Sequence, residues 1–125
     1  MRKLILSAAC LMVPAIAIQA TAADQRIHFK RGAISSQVSG SLSGPNSEVC
    51  FVAGARAGQQ MRVNVNGAGP TRGTVKFPSG GGDGQPGGLI YDDTLPETGD
   101  YRICVTESQM ANPWNGKFTV DVVIK

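Results

Sequence analysis

The strongest constraint on this chain is a two-residue rhythm of apolar side chains, repeated in short runs that glycine and proline interrupt. Met61, Val63 and Val65 alternate with Arg62, Asn64 and Asn66, and Gly67-Ala68-Gly69-Pro70 stops the run. Successive side chains of a β-strand point to opposite faces, so this pattern specifies a strand with one buried and one wet face. The same pattern recurs at Val49, Phe51 and Ala53 after Gly44-Pro45-Asn46, at Tyr101, Ile103 and Val105 after Pro96 and Gly99, and at Phe118, Val120, Val122 and Ile124. Shorter runs at Ile27 and Phe29, from Ile34 to Leu42, at Val75 and Phe77, and at Leu89 and Tyr91 complete the set. No segment sustains a 3.6-residue apolar period long enough for a helix. About seven to eight short strands, each apolar on one side, predict an all-β antiparallel β-sandwich in which two sheets bury their apolar faces against each other.

The N-terminus stands apart from this rhythm. Arg2 and Lys3 precede an apolar run from Leu4 to Ile18, and Ala20-Thr21-Ala22 follows as an Ala-x-Ala cleavage pattern. Residues 1–22 therefore read as a signal peptide and residues 23–125 as a single domain, periplasmic or secreted. The run is shorter than the ~20 apolar residues that span a bilayer core and contains Pro14, so no membrane insertion is expected after cleavage. Cys10 lies inside the run instead of ending it, and goes with the leader. Losing Arg2 and Lys3 leaves ten basic residues against nine acidic ones, a net charge of +1, which gives no footing for nucleic acid. Cys50 and Cys104 remain, and an even count in an oxidising compartment reads as one disulfide. Both take the polar parity of their strands, which predicts a cross-strand bond near the surface between neighbouring strands.

Catalytic chemistry is sparse. His28 is the only histidine, and no Gly-x-Ser-x-Gly context accompanies it, so the chain does not read as an enzyme. One histidine and two bridged cysteines cannot build a zinc site, and no metal or cofactor is expected. Ser79-Gly80-Gly81-Gly82-Asp83-Gly84 lacks the lysine and following helix of a phosphate loop and reads as a flexible connection. Asp83, Asp92, Asp93, Glu97 and Asp100 fall between Phe77 and Tyr101, where there is no Lys or Arg. That asymmetry makes either a negative end suited to a basic partner or a loop kept soluble by charge.

The remaining feature is the turn Leu95-Pro96-Glu97-Thr98-Gly99, which opens directly into the strand from Asp100 to Val105. Tyr101 shares the parity of Ile103 and Val105, so its ring is expected to pack inward with the hydroxyl near the rim. This turn and strand, with the run from Ala55 through Ala57-Gly58-Gln59 to Val63 and the closing Phe118 to Ile124, resemble the periplasmic inhibitors of g-type and i-type lysozymes. The resemblance implies a non-catalytic β-sandwich that places a loop of the Ser-Gly-x-Tyr type in the lysozyme cleft. The matching positions are Thr98, Gly99, Asp100 and Tyr101, with Thr in place of Ser and Glu97 alongside. Lysozyme is the partner so implied.

The same residues are also similar to the C-terminal sandwich domains of secreted peptidases. In that comparison the motif is turn chemistry alone, and the domain is an envelope binding module for protein or polysaccharide. Met110 to Asn115, with Asn112 and Trp114, reads as a second contact loop, or as one whose Trp114 folds over the end of the core. An outer face of Ser, Asn and Arg suits a monomer or a small homodimer.

Overall fold

The computed structural model describes residues 24–43, 47–67, 71–107 and 115–125. The expected leader, with Cys10, lies outside the described residues, as do Asn112 and Trp114. Among the described residues no helix is long and apolar enough to cross a membrane.

Among the described residues nine strands form two sheets. They are β1 (Gln25–Arg26), β2 (Ser35–Ser43), β3 (Glu48–Ala55), β4 (Gln60–Gly67), β5 (Thr71–Lys76), β6 (Gly82–Pro86), β7 (Gly88–Thr94), β8 (Gly99–Glu107) and β9 (Asn115–Ile124). One sheet has the order β1-β3-β8-β5-β6 and the other β2-β9-β4-β7. Every pairing is antiparallel except the short one between β1 and β3.

The expected sandwich is what forms, and for the reason the alternation implies. Phe51, Ala53, Tyr101, Ile103 and Val105 of one sheet and Met61, Val63, Val65, Val120 and Val122 of the other are all buried in one core. Phe51 and Phe118 meet edge to face across the two sheets, their ring centroids 6.3 Å apart. Burying an aliphatic side chain of this size is worth about 1.5–3 kcal/mol, so the facing rows account for much of the drive to fold.

Four local expectations are corrected. The first strand is only two residues long and runs parallel to β3; beyond it, the Ile27 amide donates to the Val52 carbonyl at 2.8 Å and the Ile27 side chain is buried. The glycine-rich connection is in part a strand: β6 pairs with β5 from Lys76↔Gly82 to Arg72↔Pro86. Glycine permits this, since a Cβ on Gly82 would overlap the Val75 carbonyl.

In β7 the inward residues are Ile90 and Tyr91, while Leu89 is 46% exposed. Val63 opposes Tyr91 and Asn64 opposes Leu89, so Ile90 is the extra residue of a bulge. Gly73 makes room for it, because a Cβ there would collide with the Ile90 side chain. Finally, Cys50 and Cys104 are bonded across neighbouring strands at directly opposed positions, with Cα atoms 4.0 Å apart, but the cystine is buried, at 7% and 1% exposure. The parity was right and the depth was not. β8 is the middle strand of its sheet, so even its outward side chains have neighbours on both flanks.

Candidate functional site: a clasped turn between two strands

β7 ends at Thr94 and β8 begins at Gly99, which leaves Leu95 to Thr98 as the connection. Leu95 is buried and anchors it. Its amide donates to the Gln59 carbonyl at 2.7 Å, and its carbonyl accepts from the Gly58 amide at 2.8 Å. The Ala57 amide donates to Thr98 Oγ1 at 2.9 Å. The Arg56–Gln59 turn thus zips onto the β7–β8 turn, and it is itself closed by the Arg56 amide donating to Gln59 Oε1 at 2.7 Å. Gly58, at φ 90°, supplies the left-handed backbone that this tight reversal requires.

A third turn joins from the other side. Glu97 accepts two bonds from Ser79, from its amide at 2.9 Å to Oε1 and from its hydroxyl at 2.6 Å to Oε2. Gly99 lies against Pro78: its φ is 148°, and a Cβ would stand 2.9 Å from the Pro78 Cβ. Both the backbone angle and the contact call for glycine there.

Tyr101 closes the turn from inside. Its hydroxyl donates to the Glu97 carbonyl at 2.7 Å and accepts from the Glu97 amide at 3.0 Å. The phenol therefore satisfies both main-chain groups of one turn residue four positions upstream, an arrangement akin to the tyrosine corner of other sandwiches. The ring is 0% exposed and packs edge to face on Phe77, centroids 5.7 Å apart. Tyr101 accordingly has no free ring face, in keeping with its inward parity, and its hydroxyl is engaged by the turn itself. Thr98 and Asp100 are exposed, and Glu97 and Gly99 are half-buried.

Asp100 accepts a forked pair of bonds from Arg26, at 3.2 and 2.7 Å. The hydrogen bond from Arg26 holds the Asp100 carboxyl below its ordinary value, with the guanidinium charge acting in the same direction. Asp92 pairs with Arg62 at 3.3 Å. Two of the five carboxylates between Phe77 and Tyr101 are thereby offset by arginines from other strands, and the run of acids does not build a uniformly negative end. Asp83 and Asp93 each accept from the amide of the following residue.

Beside the Arg56–Gln59 turn a cavity of about 360 Å³ opens, floored by Phe29, Ala55 and Ile124 and rimmed by Arg56 and Gln59. Arg26, Ser79 and Pro78 escape a reading of the sequence, since they are remote from the turn along the chain and nothing in their own order ties them to it. Glu48 lies close to the two cysteines, but their sulfurs are bonded to each other and offer no thiolate to a metal. His28 lines a groove with Ser35, Ser36 and Asp121, and its carbonyl accepts from the Ser36 hydroxyl at 3.1 Å.

No protein-family model matches the chain, and no curated protein matches it. Solved structures do. Aeromonas hydrophila PliG, a periplasmic lysozyme inhibitor of g-type lysozyme, superimposes with a TM-score of 0.71 at 23% identity, over 82% of this chain and 96% of that one. Salmonella Typhimurium PliG gives 0.65 at 21% identity, over 84% and 100% of the two chains. A mutant of the Escherichia coli protein gives 0.64 at 19% identity with the same coverage. At these identities the likeness establishes a common fold, and it runs almost end to end through each of the three inhibitors.

Proposed function

We propose that this protein is a periplasmic inhibitor of g-type lysozyme that plugs the enzyme's cleft with the Leu95–Tyr101 turn. The observation that carries the reading is the likeness of fold over nearly the whole length of three such inhibitors. The turn's construction supports it. A glycosidase cleft holds a carboxyl pair, one acidic and one ionised, so a plug should present hydrogen-bond donors on a backbone that loses little freedom on docking. Thr98 Oγ1 already accepts from Ala57, which leaves its proton to be donated to a carboxylate. Glu97 and Tyr101 hold the turn in shape, while Thr98, Asp100 and the paired Arg26 face outward.

The test is lysis of peptidoglycan by g-type, i-type and c-type lysozymes with and without the purified protein. Inhibition of the g-type enzyme near equimolar protein is expected; no inhibition of any class at micromolar excess overturns the reading. Inhibition confined to the i-type enzyme would keep the role and replace the target. Thr98→Ala should weaken inhibition roughly ten-fold or more, the worth of a hydrogen bond to a charged group, while loss of the bond from the Ala57 amide lowers stability by about 1 kcal/mol. Full inhibition by that variant would remove Thr98 from the insertion mechanism.

A further inference from the structure

We infer that the outer edge of β2 pairs with β2 of a second copy of this chain, antiparallel, with the two-fold axis passing beside Ser39.

Among the described residues the sandwich has four edge strands. Exposed edges invite pairing, and proteins blunt them with charges, prolines, bulges or short length. β1 is two residues long and carries Arg26, β6 contains Asp83 and Pro86, and β7 is bulged and carries Asp92 and Asp93. β2 has nine residues, Ser-Ser-Gln-Val-Ser-Gly-Ser-Leu-Ser, with no charge and no proline, in unbroken register with β9.

The direction of its free backbone groups follows from one bond. Ile34 accepts from the Ile124 amide, so even-numbered residues from Ile34 onward turn their main-chain groups toward β9. Ser35, Gln37, Ser39 and Ser41 turn theirs outward, and no backbone partner meets them among the described residues. Beside the first half of this edge is a groove of about 410 Å³, lined by His28, Lys30 and Ala33 of the preceding segment and by Ser35, Gln37 and Asp121.

Charge selects a second copy and its register. On the outer face Gln37 opposes Asp121 and Ser41 opposes Lys117. With the axis at Ser39, Gln37 faces Ser41 of the second copy, and each row across the joined sheets carries Asp121 at one end and Lys117 of the other copy at the opposite end. An axis at Gln37 would align Asp121 with Asp121, and one at Ser41 would align Lys117 with Lys117. The Gln37 amide nitrogen already donates to Asp121 at 2.7 Å, so its oxygen remains to accept from the lysine across the seam. The Ser39 axis centres the overlap on the strand, and its outermost pair, Ser35 with Ser43, lacks one bond because the Ser43 amide already donates to Ser47 Oγ at 3.0 Å.

The pairing leaves the clasped turns free. Ile34 adjoins Ile124, and Lys125 bonds Gln60, so the start of β2 is at the Arg56–Gln59 end of the molecule. Antiparallel addition sends the two Leu95–Tyr101 turns to opposite ends of the dimer.

The experiment uses protein purified from the periplasm, in sedimentation equilibrium from low micromolar to about millimolar concentration. A concentration-dependent dimer is expected, with Ser39→Lys weakening it at least roughly ten-fold through two lysines opposed at the axis. Mild oxidation of Ser39→Cys should give a covalent dimer, since opposed residues of a hydrogen-bonded pair have Cα atoms about 5.5 Å apart, within disulfide reach. Ser41→Cys should not cross-link with itself. A wild-type protein monomeric throughout, a Ser39→Lys variant that dimerises equally well, or Ser41→Cys cross-linking as readily as Ser39→Cys would each overturn the proposal.

Discussion

The turn at Leu95–Thr98 and the edge at Ser35–Ser43 both lie at the surface, and they use their backbone groups in opposite ways. At the turn, the main-chain groups of Leu95 and Glu97 are consumed internally by Gln59, Gly58 and the Tyr101 hydroxyl. Along the edge, the main-chain groups of Ser35, Gln37, Ser39 and Ser41 point outward and meet no backbone partner among the described residues. A surface whose polar groups are satisfied from within keeps one shape and loses little entropy when it docks. A surface with free donors and acceptors will take any extended chain, so its selectivity must come from register and charge. The first suits insertion into a preformed cleft, and the second suits strand pairing.

Several measurements can break or sharpen that contrast. The largest effect is expected from replacing both cysteines with alanine. The Cys50–Cys104 bond closes 54 residues and joins β3 to β8, the strands that lead into the Arg56–Gln59 turn and out of the β7–β8 turn. Loop-closure entropy puts the loss at about 4 kcal/mol in urea denaturation. A loss below about 1 kcal/mol would mean that the two turns are held by their own bonds and not by the staple.

Tyr101→Phe comes next, at about 1–3 kcal/mol, because it leaves the Glu97 amide and carbonyl without their partner inside the fold. Ser39→Lys on the open edge should change monomer stability by no more than about 0.5 kcal/mol. If the order of these two were reversed, the distinction between a satisfied turn and an open edge would fail. Gly99→Ala is expected to cost about 1–3 kcal/mol from backbone strain, with the Pro78 contact adding to it.

The smallest effect is on pH. Asp24, bonded to Arg102 at 2.6 Å, and Asp100, bonded to Arg26, both have carboxyls lowered from the ordinary value of 3.8, the hydrogen bond to arginine being the main cause. A folded-state value below the unfolded one stabilises the fold at pH above the ordinary carboxylate range. That contribution is lost as pH falls through the lowered value. Acid titration of melting temperature at low and high salt should show a shallow decline below pH 3.8 that Asp100→Asn makes shallower.

Much of the architecture was legible because alternation is local. Met61, Val63 and Val65 declare their buried face without reference to any other strand, and so do Phe118, Val120 and Val122; all six are buried as expected. The inward parity of Tyr101 was equally plain. Ile90 was not, because the bulge that turns it inward is set by how β7 pairs with Val63 and Asn64. β6 was hidden for a related reason: Gly82-Asp83-Gly84-Gln85-Pro86 has no strand-forming composition, and β5 imposes its conformation through register. The site divided in the same manner. The residues of the Thr98-Gly99-Asp100-Tyr101 run could be named from their order, but Arg26 pairs with Asp100 from 74 positions away, and no periodicity announces such a partner.

From its order of residues alone, this chain specifies a set of half-buried strands, the side-chain parity of its regular strands and Cys50 with Cys104 as the candidate cystine. Folding in three dimensions decided which turn touches which, and with it that Tyr101 closes the loop from within while Thr98 faces out. The physical reason is range. The period of a strand is written in adjacent peptide units, whereas a hydrogen-bond partner is chosen among groups that only the packed sheets bring within 3 Å of one another.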